Sequence, residues 1–151
     1  MKNNILWISI LVFSLVSCND DTDDTCTDAI IETTGLETEY GCTNTKYQMD
    51  IFLNNDYVVI KNQETFDEMI SGSCLPSIDF SLYDLVVGEK GLTTGNTSIN
   101  NKLMKNCETG NENLKVTFNQ NMTAEAPNLT YHALIPKLNT DQVLAVEIIV
   151  N

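Results

Sequence analysis

The chain has 151 residues, of which 8 are basic and 21 acidic, for a formal net charge of −13. Every basic residue is a lysine. Such a surface repels nucleic-acid phosphates and anionic lipid headgroups, so nucleic acid is excluded and any ionic partner is cationic or a metal.

In chain order the first element is an export signal. Lys2 precedes "ILWISILVFSLV", twelve apolar or small residues. A membrane span needs ~20 such residues. Twelve behind a basic start match the apolar region of a signal peptide. The run ends in "LVSC", which resembles a bacterial lipobox. That predicts cleavage of residues 1–17 and lipidation of Cys18, palmitate included. Two or more acyl chains anchor stably where one is marginal. The mature chain then has 134 residues, with seven lysines against twenty-one acids, a net charge of −14. The predicted location is the bacterial outer membrane, lipid-anchored at the cell surface.

Residues 18–25 follow as an acidic tether. "NDDTDDTCTD" holds five acids and nothing apolar except Cys26. Like charges keep such a segment extended and solvated. It also resembles the acidic export signal of some surface lipoproteins. A calcium loop would need a glycine after its alternating acids, and none is there.

Residues 26–151 form the expected folded part, long enough for one core. Cys26, Cys42, Cys74 and Cys107 imply two disulfides in an exported chain, with three possible connectivities. Closing sequence neighbours costs least, which favours Cys26–Cys42 and Cys74–Cys107. The second of these would staple the helix predicted below to the end of the sheet.

"YQMDIFLNNDYVVIKNQ" reads as a hairpin turning at "NND". Asn62 is a good N-cap for a helix over "QETFDEMI", whose Phe66, Met69 and Ile70 form one apolar stripe. "SGSCLPS" ends that helix. "YDLVVGEKGL" is a strand running into a glycine-marked bend, with "TTGNTSINNKLMKNC" pairing beside it. "LKVTFNQNM" alternates cleanly, with Leu114, Val116 and Phe118 inward. "CETGNEN" is the turn before it. "LTYHALIP" and "QVLAVEIIV" are the last strands, and Pro136 ends the first of them. The fold class is mainly β (α+β): an antiparallel sheet or sandwich-like domain of about six or seven strands, one short helix covering a face or end.

The order "YVVIKNQETFDEMI", "LPSIDFSLYDLVVGEKG", "TGNTSI" and "YHALIPKL" resembles the protease-complex subunit PrcB family, from about Tyr57 to the C-terminus. The resemblance implies a small, exported, non-enzymatic domain, in many members a lipoprotein. Its founding type is an accessory subunit of a secreted protease complex. The family's Gly-Gly-Tyr is here Gly95, Asn96 and Thr97, a candidate binding loop that lacks the second glycine and the aromatic tip. Thr130 replaces a proline before Tyr-His.

No catalytic set stands out. His132 is the single histidine and lies out of phase with Leu129, Tyr131, Ala133 and Ile135, facing solvent or the second side of its sheet. One histidine and no Cys-x-x-C spacing argue against zinc, and no cofactor motif is present. Asp79 and Asp84 flank "FSLY" as turn residues or a loop site. Tyr40, Tyr47, Tyr57 and Tyr83 could stack on a glycan but read more simply as half-buried strand-edge residues. The sequence therefore points to a non-catalytic binding or accessory module with an unidentified protein partner. The alternative is an envelope enzyme acting on peptide or glycan through carboxylates.

Overall fold

Residues 26–53 and 56–151 are described by the structure, a computed structural model. Cys18, the signal 1–17, the tether 18–25 and the Asn54–Asn55 turn positions lie outside the described residues. The elements are β1 (Ala29–Ile31), α1 (Leu36–Tyr40), α2 (Thr45–Gln48), β2 (Met49–Ile51), β3 (Tyr57–Ile60), α3 (Gln63–Met69), β4 (Ile70–Gly72), β5 (Tyr83–Gly91), β6 (Asn96–Lys105), β7 (Glu112–Gln120), β8 (Asn128–Pro136) and β9 (Leu144–Val150). The fold is mainly β and sandwich-like, with nine strands and three short helices among the described residues. The strands and helices beyond those expected are pieces of three to five residues, too short to carry a period.

Three sheets form, with orders β1-β6-β7-β9, β3-β5-β8 and β2-β4. The β3-β5-β8 sheet is the central layer because both its faces are apolar. Val86, Leu129, Tyr131, Ala133 and Ile135 face one way, onto Leu103, Leu114, Val116 and Phe118 of the four-stranded sheet. Leu85, Val87 and Leu134 face the other way, onto Leu36, Met49, Ile51, Phe66 and Ile70 of the helices and the small hairpin. β8 is accordingly buried at seven consecutive positions, Leu129 to Ile135. A strand covered on both sides loses the alternation of a half-exposed one.

Several elements match the pattern read from the sequence. The Asn62 side chain accepts from Thr65 N at 2.8 Å and caps α3. Phe66 and Ile70 are buried and Met69 is half-buried. Leu114, Val116 and Phe118 are fully buried on β7, and β6 and β7 form a hairpin around the 106–111 turn. Pro136 ends β8.

Pairing differs in three places. β2 and β3 do not form a hairpin: β2 pairs with β4, Met49 opposite Gly72, while β3 pairs with β5. The "SGS" break thus begins inside a strand. β5 and β6 lie in different sheets, so "TTGNTSINNKLMKNC" pairs with β7 and not with β5. β9 runs parallel to β7. The chain crosses to the central sheet as β8 between them, and two reversals restore the direction.

The disulfides are Cys26–Cys107 and Cys42–Cys74, each with Cα atoms 5.6 Å apart, in place of the expected Cys26–Cys42 and Cys74–Cys107. All four cysteines among the described residues are paired. The connectivity follows the sheets. β1 runs beside the end of β6, Ala29 opposite Lys105, and brings Cys26 to the turn holding Cys107. The β2–β4 pairing carries Cys74 to Cys42, both within the helical layer's cluster. The loop after β4 is therefore stapled to the α1–α2 connection, and α3 packs on the face of the central sheet.

Candidate functional site

α1 is bracketed by glycines. Gly35 lies before it, and Gly41 closes it at φ 70°, a left-handed conformation natural to glycine. Leu36 is fully buried and fixes the helix's roll. Glu37 is then carried over β8, onto His132. Asn44, also left-handed at φ 55°, turns the chain into α2, whose first residue Thr45 is buried against the same histidine.

The three side chains meet at one atom. His132 Nε2 lies 2.8 Å from Thr45 Oγ1 and 3.1 Å from Glu37 Oε2. The Thr45 hydroxyl donates its one proton to Glu37 Oε1, so it accepts from His132. Nε2 is thereby the protonated nitrogen. Nδ1 is buried without a partner. The His132 side chain is 6% exposed and that of Glu37 43%. Burial pushes the Glu37 carboxyl up. Hydrogen bonds from His132 and Thr45, with the charge on His132, pull it further down, to about 2.

A cavity of about 320 Å³ opens beside this cluster, lined also by Gly35, Asn44, Lys46, Ile99 and Asn101. Asn101 Nδ2 donates to the His132 carbonyl at 2.8 Å, and its Oδ1 is buried without a partner. In a nucleophilic relay the hydroxyl and the carboxylate sit on opposite ring nitrogens. Here both sit on Nε2, and the hydroxyl proton is already engaged in its hydrogen bond to the carboxylate. The arrangement ties α1 and α2 to β8, and it leaves an acid and a lysine at the mouth of a polar cavity.

The other singled-out residues lie apart from it. In the candidate loop, Gly95 and Asn96 are buried and only Thr97 is exposed. Gly95 packs so closely on the 121–123 turn that a Cβ there would overlap Thr123 and Asn121. Asn96 Nδ2 donates to the carbonyls of Ser98 and Asn119, at 3.0 and 3.1 Å. Asp79 closes a turn by accepting from Ser81 N at 3.0 Å. Asp84 is fully buried and accepts from Leu138 N at 3.1 Å, with Lys137 Nζ at 3.5 Å. Tyr40, Tyr57 and Tyr83 are half-buried and Tyr47 is exposed. Among the described residues no group of three or more His, Cys, Asp or Glu is placed to hold a metal.

Glu37 and Thr45 did not emerge from the sequence. The available signal was "GLETEYG", a five-residue segment between two glycines with Leu36 and Tyr40 one turn apart. No family model, curated protein or solved structure matches the chain.

Proposed function

We propose that this protein is a lipid-anchored binding or accessory module of the bacterial cell surface. It has no chemistry of its own and serves an envelope or secreted protease complex, as its PrcB-like residue pattern implies. One observation carries the non-catalytic part. The Glu37 carboxylate, the Thr45 hydroxyl and the buried His132 are joined through a single ring nitrogen, so these three side chains do not form a nucleophilic relay. The anchor rests on the "LVSC" junction and the acidic residues behind it.

Affinity capture from cell envelopes, with the lipidated protein as bait, should retain a protease or its assembly partners. Cys18→Ser should abolish membrane partition of the processed chain, and membrane retention of that variant would remove the anchor. Replacing Asp20, Asp21, Asp23 and Asp24 with alanine should reduce accessibility to external protease without changing the fold. Unchanged accessibility would reduce the acids to a spacer. Turnover of peptide or glycan by the purified protein, lost in Glu37→Gln, would replace this reading with an enzymatic one.

A further inference from the structure

β9 is an outer strand of the four-stranded sheet, and its free side is defined by its bonds to β7. Glu112 N donates to Val143 O, Asn151 N donates to Phe118 O, and Gln120 N donates to Asn151 O, each at 2.9 Å. In a parallel pair, alternate residues direct both backbone groups to the same neighbour. Positions 143, 145, 147, 149 and 151 therefore bond to β7. Leu144, Val146, Ile148 and Val150 point their N–H and C=O groups away from it. The Leu144 carbonyl confirms the phase, since the Tyr57 hydroxyl reaches it from the opposite sheet at 3.1 Å. Beyond that bond, among the described residues no strand pairs with this side of β9.

Natural edge strands are usually blunted by lysine, proline or a bulge. "LAVEIIV" has none of these, and its one charge, Glu147, is paired with Lys115 at 3.5 Å. The backbone groups are also not isolated. Between β9 and the central sheet lies a groove of about 380 Å³, lined by Val146, Ile148, Tyr57 and Tyr131 with Asp56, Glu89 and Lys90. A strand laid along β9 would direct alternate side chains over this groove, two carboxylates against one ammonium.

We infer that the free edge of β9 is a strand-addition site for an extended, lysine- or arginine-bearing segment of another protein. Backbone hydrogen bonds to Val146, Ile148 and Val150 supply the pairing, and the groove reads the alternate side chains. Charge selects this occupant over a second copy. Two chains of −13 repel, whereas a cationic strand is attracted to both the groove's carboxylates and the molecule as a whole. Apart from Tyr131, which lines both, the groove has no lining residue in common with the His132 cavity, and it does not depend on the lipid anchor.

Amide hydrogen exchange on the intact protein tests this, using a peptide of alternating lysine and valine as probe and its glutamate–valine counterpart as control. In the free protein the amides of Val146, Ile148 and Val150 should exchange fast while those of Glu147 and Ile149 are protected. The lysine peptide should slow the first three, and the glutamate peptide should not. Ile148→Pro removes an outward N–H and should weaken binding about tenfold or more. Because Ile148 also packs on the core, Val150→Pro, at a side chain 41% exposed, provides a second variant with little packing at stake. Slow exchange at all three positions in the free protein would overturn the inference. If that protection disappears on dilution, the occupant is a second copy. Equal binding of both peptides, or full binding by both proline variants, would overturn it as well.

Discussion

His132 shows what one residue's phase does and does not reveal. Its place opposite Leu129, Tyr131 and Ala133 is visible in the sequence, because side chains on a strand alternate. Which surroundings that second face meets is not visible. α1 and α2, which cover it, are two short helices with no periodic stripe to announce them. Glu37 came to light only with the helix that carries it. Its acidity gives a test at this scale. The folded-state pKa of about 2 lies below the usual 4.5. A depressed carboxylate contributes stability that is fully present above about pH 4.5 and is lost as pH falls toward 2. Glu37→Gln removes that contribution. The stability gap between wild type and variant should be present at pH 5 and close between pH 4.5 and 2. Because the carboxylate is 43% exposed, solvent screening keeps the gap modest. Urea midpoints at a series of pH values measure it. A gap that persists unchanged at pH 2 would mean the carboxylate's charge contributes nothing.

At the scale of elements, period and turn chemistry did best where one face is dry and the other wet. β7 and the stripe of α3 are of that kind, and both lie where their patterns put them. Tight sequence neighbours misled where the chain changes layers, as between β2 and β3 and between β5 and β6. Glycine misled too. Gly88 looks like the start of a bend, yet β5 passes straight through it to Gly91. The reason lies across the sheet. Gly88 pairs with Tyr131 on β8, and that ring lies over it, so a Cβ would come 2.7 Å from Tyr131 Cε1 and closer still to the hydroxyl end. The same ring meets Phe118 edge-on, with centroids 5.9 Å apart. Burial, then the charges of Asp56 and Tyr57, push its hydroxyl up to about 12. Gly88→Ala should therefore displace a buried aromatic ring and cost about 1–3 kcal/mol. Gly91→Ala, where a Cβ would find nothing nearer than 3.9 Å, should cost much less. Thermal midpoints of the two variants give the comparison, and equal losses would rule out the ring as the cause.

For the molecule as a whole, the disulfides join what the sheets have already brought together, which is why spacing alone could not assign them. The two bridges are nested: Cys42–Cys74 spans 32 residues inside the 81 spanned by Cys26–Cys107. On the loop-entropy model the inner bond alone is worth about 3.7 kcal/mol and the outer alone about 4.5. They are not additive, because the inner bond shortens the loop that the outer one closes and brings the outer term down to about 4. The two also act in different places. Cys26 and Cys107 are exposed, and their bond supports β1, which is also held by three residues of pairing and by Asp28, whose carboxylate accepts from Cys107 N at 3.0 Å. Cys42 is buried and Cys74 half-buried among Leu36, Met49 and Ile70, where the bond fixes the layer covering His132. Cys26→Ser/Cys107→Ser should then lower the global stability by several kcal/mol through the unfolded chain, while freeing only the β1 amides in native-state exchange. Cys42→Ser/Cys74→Ser should cost a similar amount overall. It should also open the α1–α2 segment, and with it the contact of Glu37 and Thr45 with His132. Exchange rates across β1 and α1–α2 in the two variants separate these outcomes. Loss of α1–α2 protection in the Cys26/Cys107 variant would show that the two layers open as one unit, against the division of labour argued from their positions.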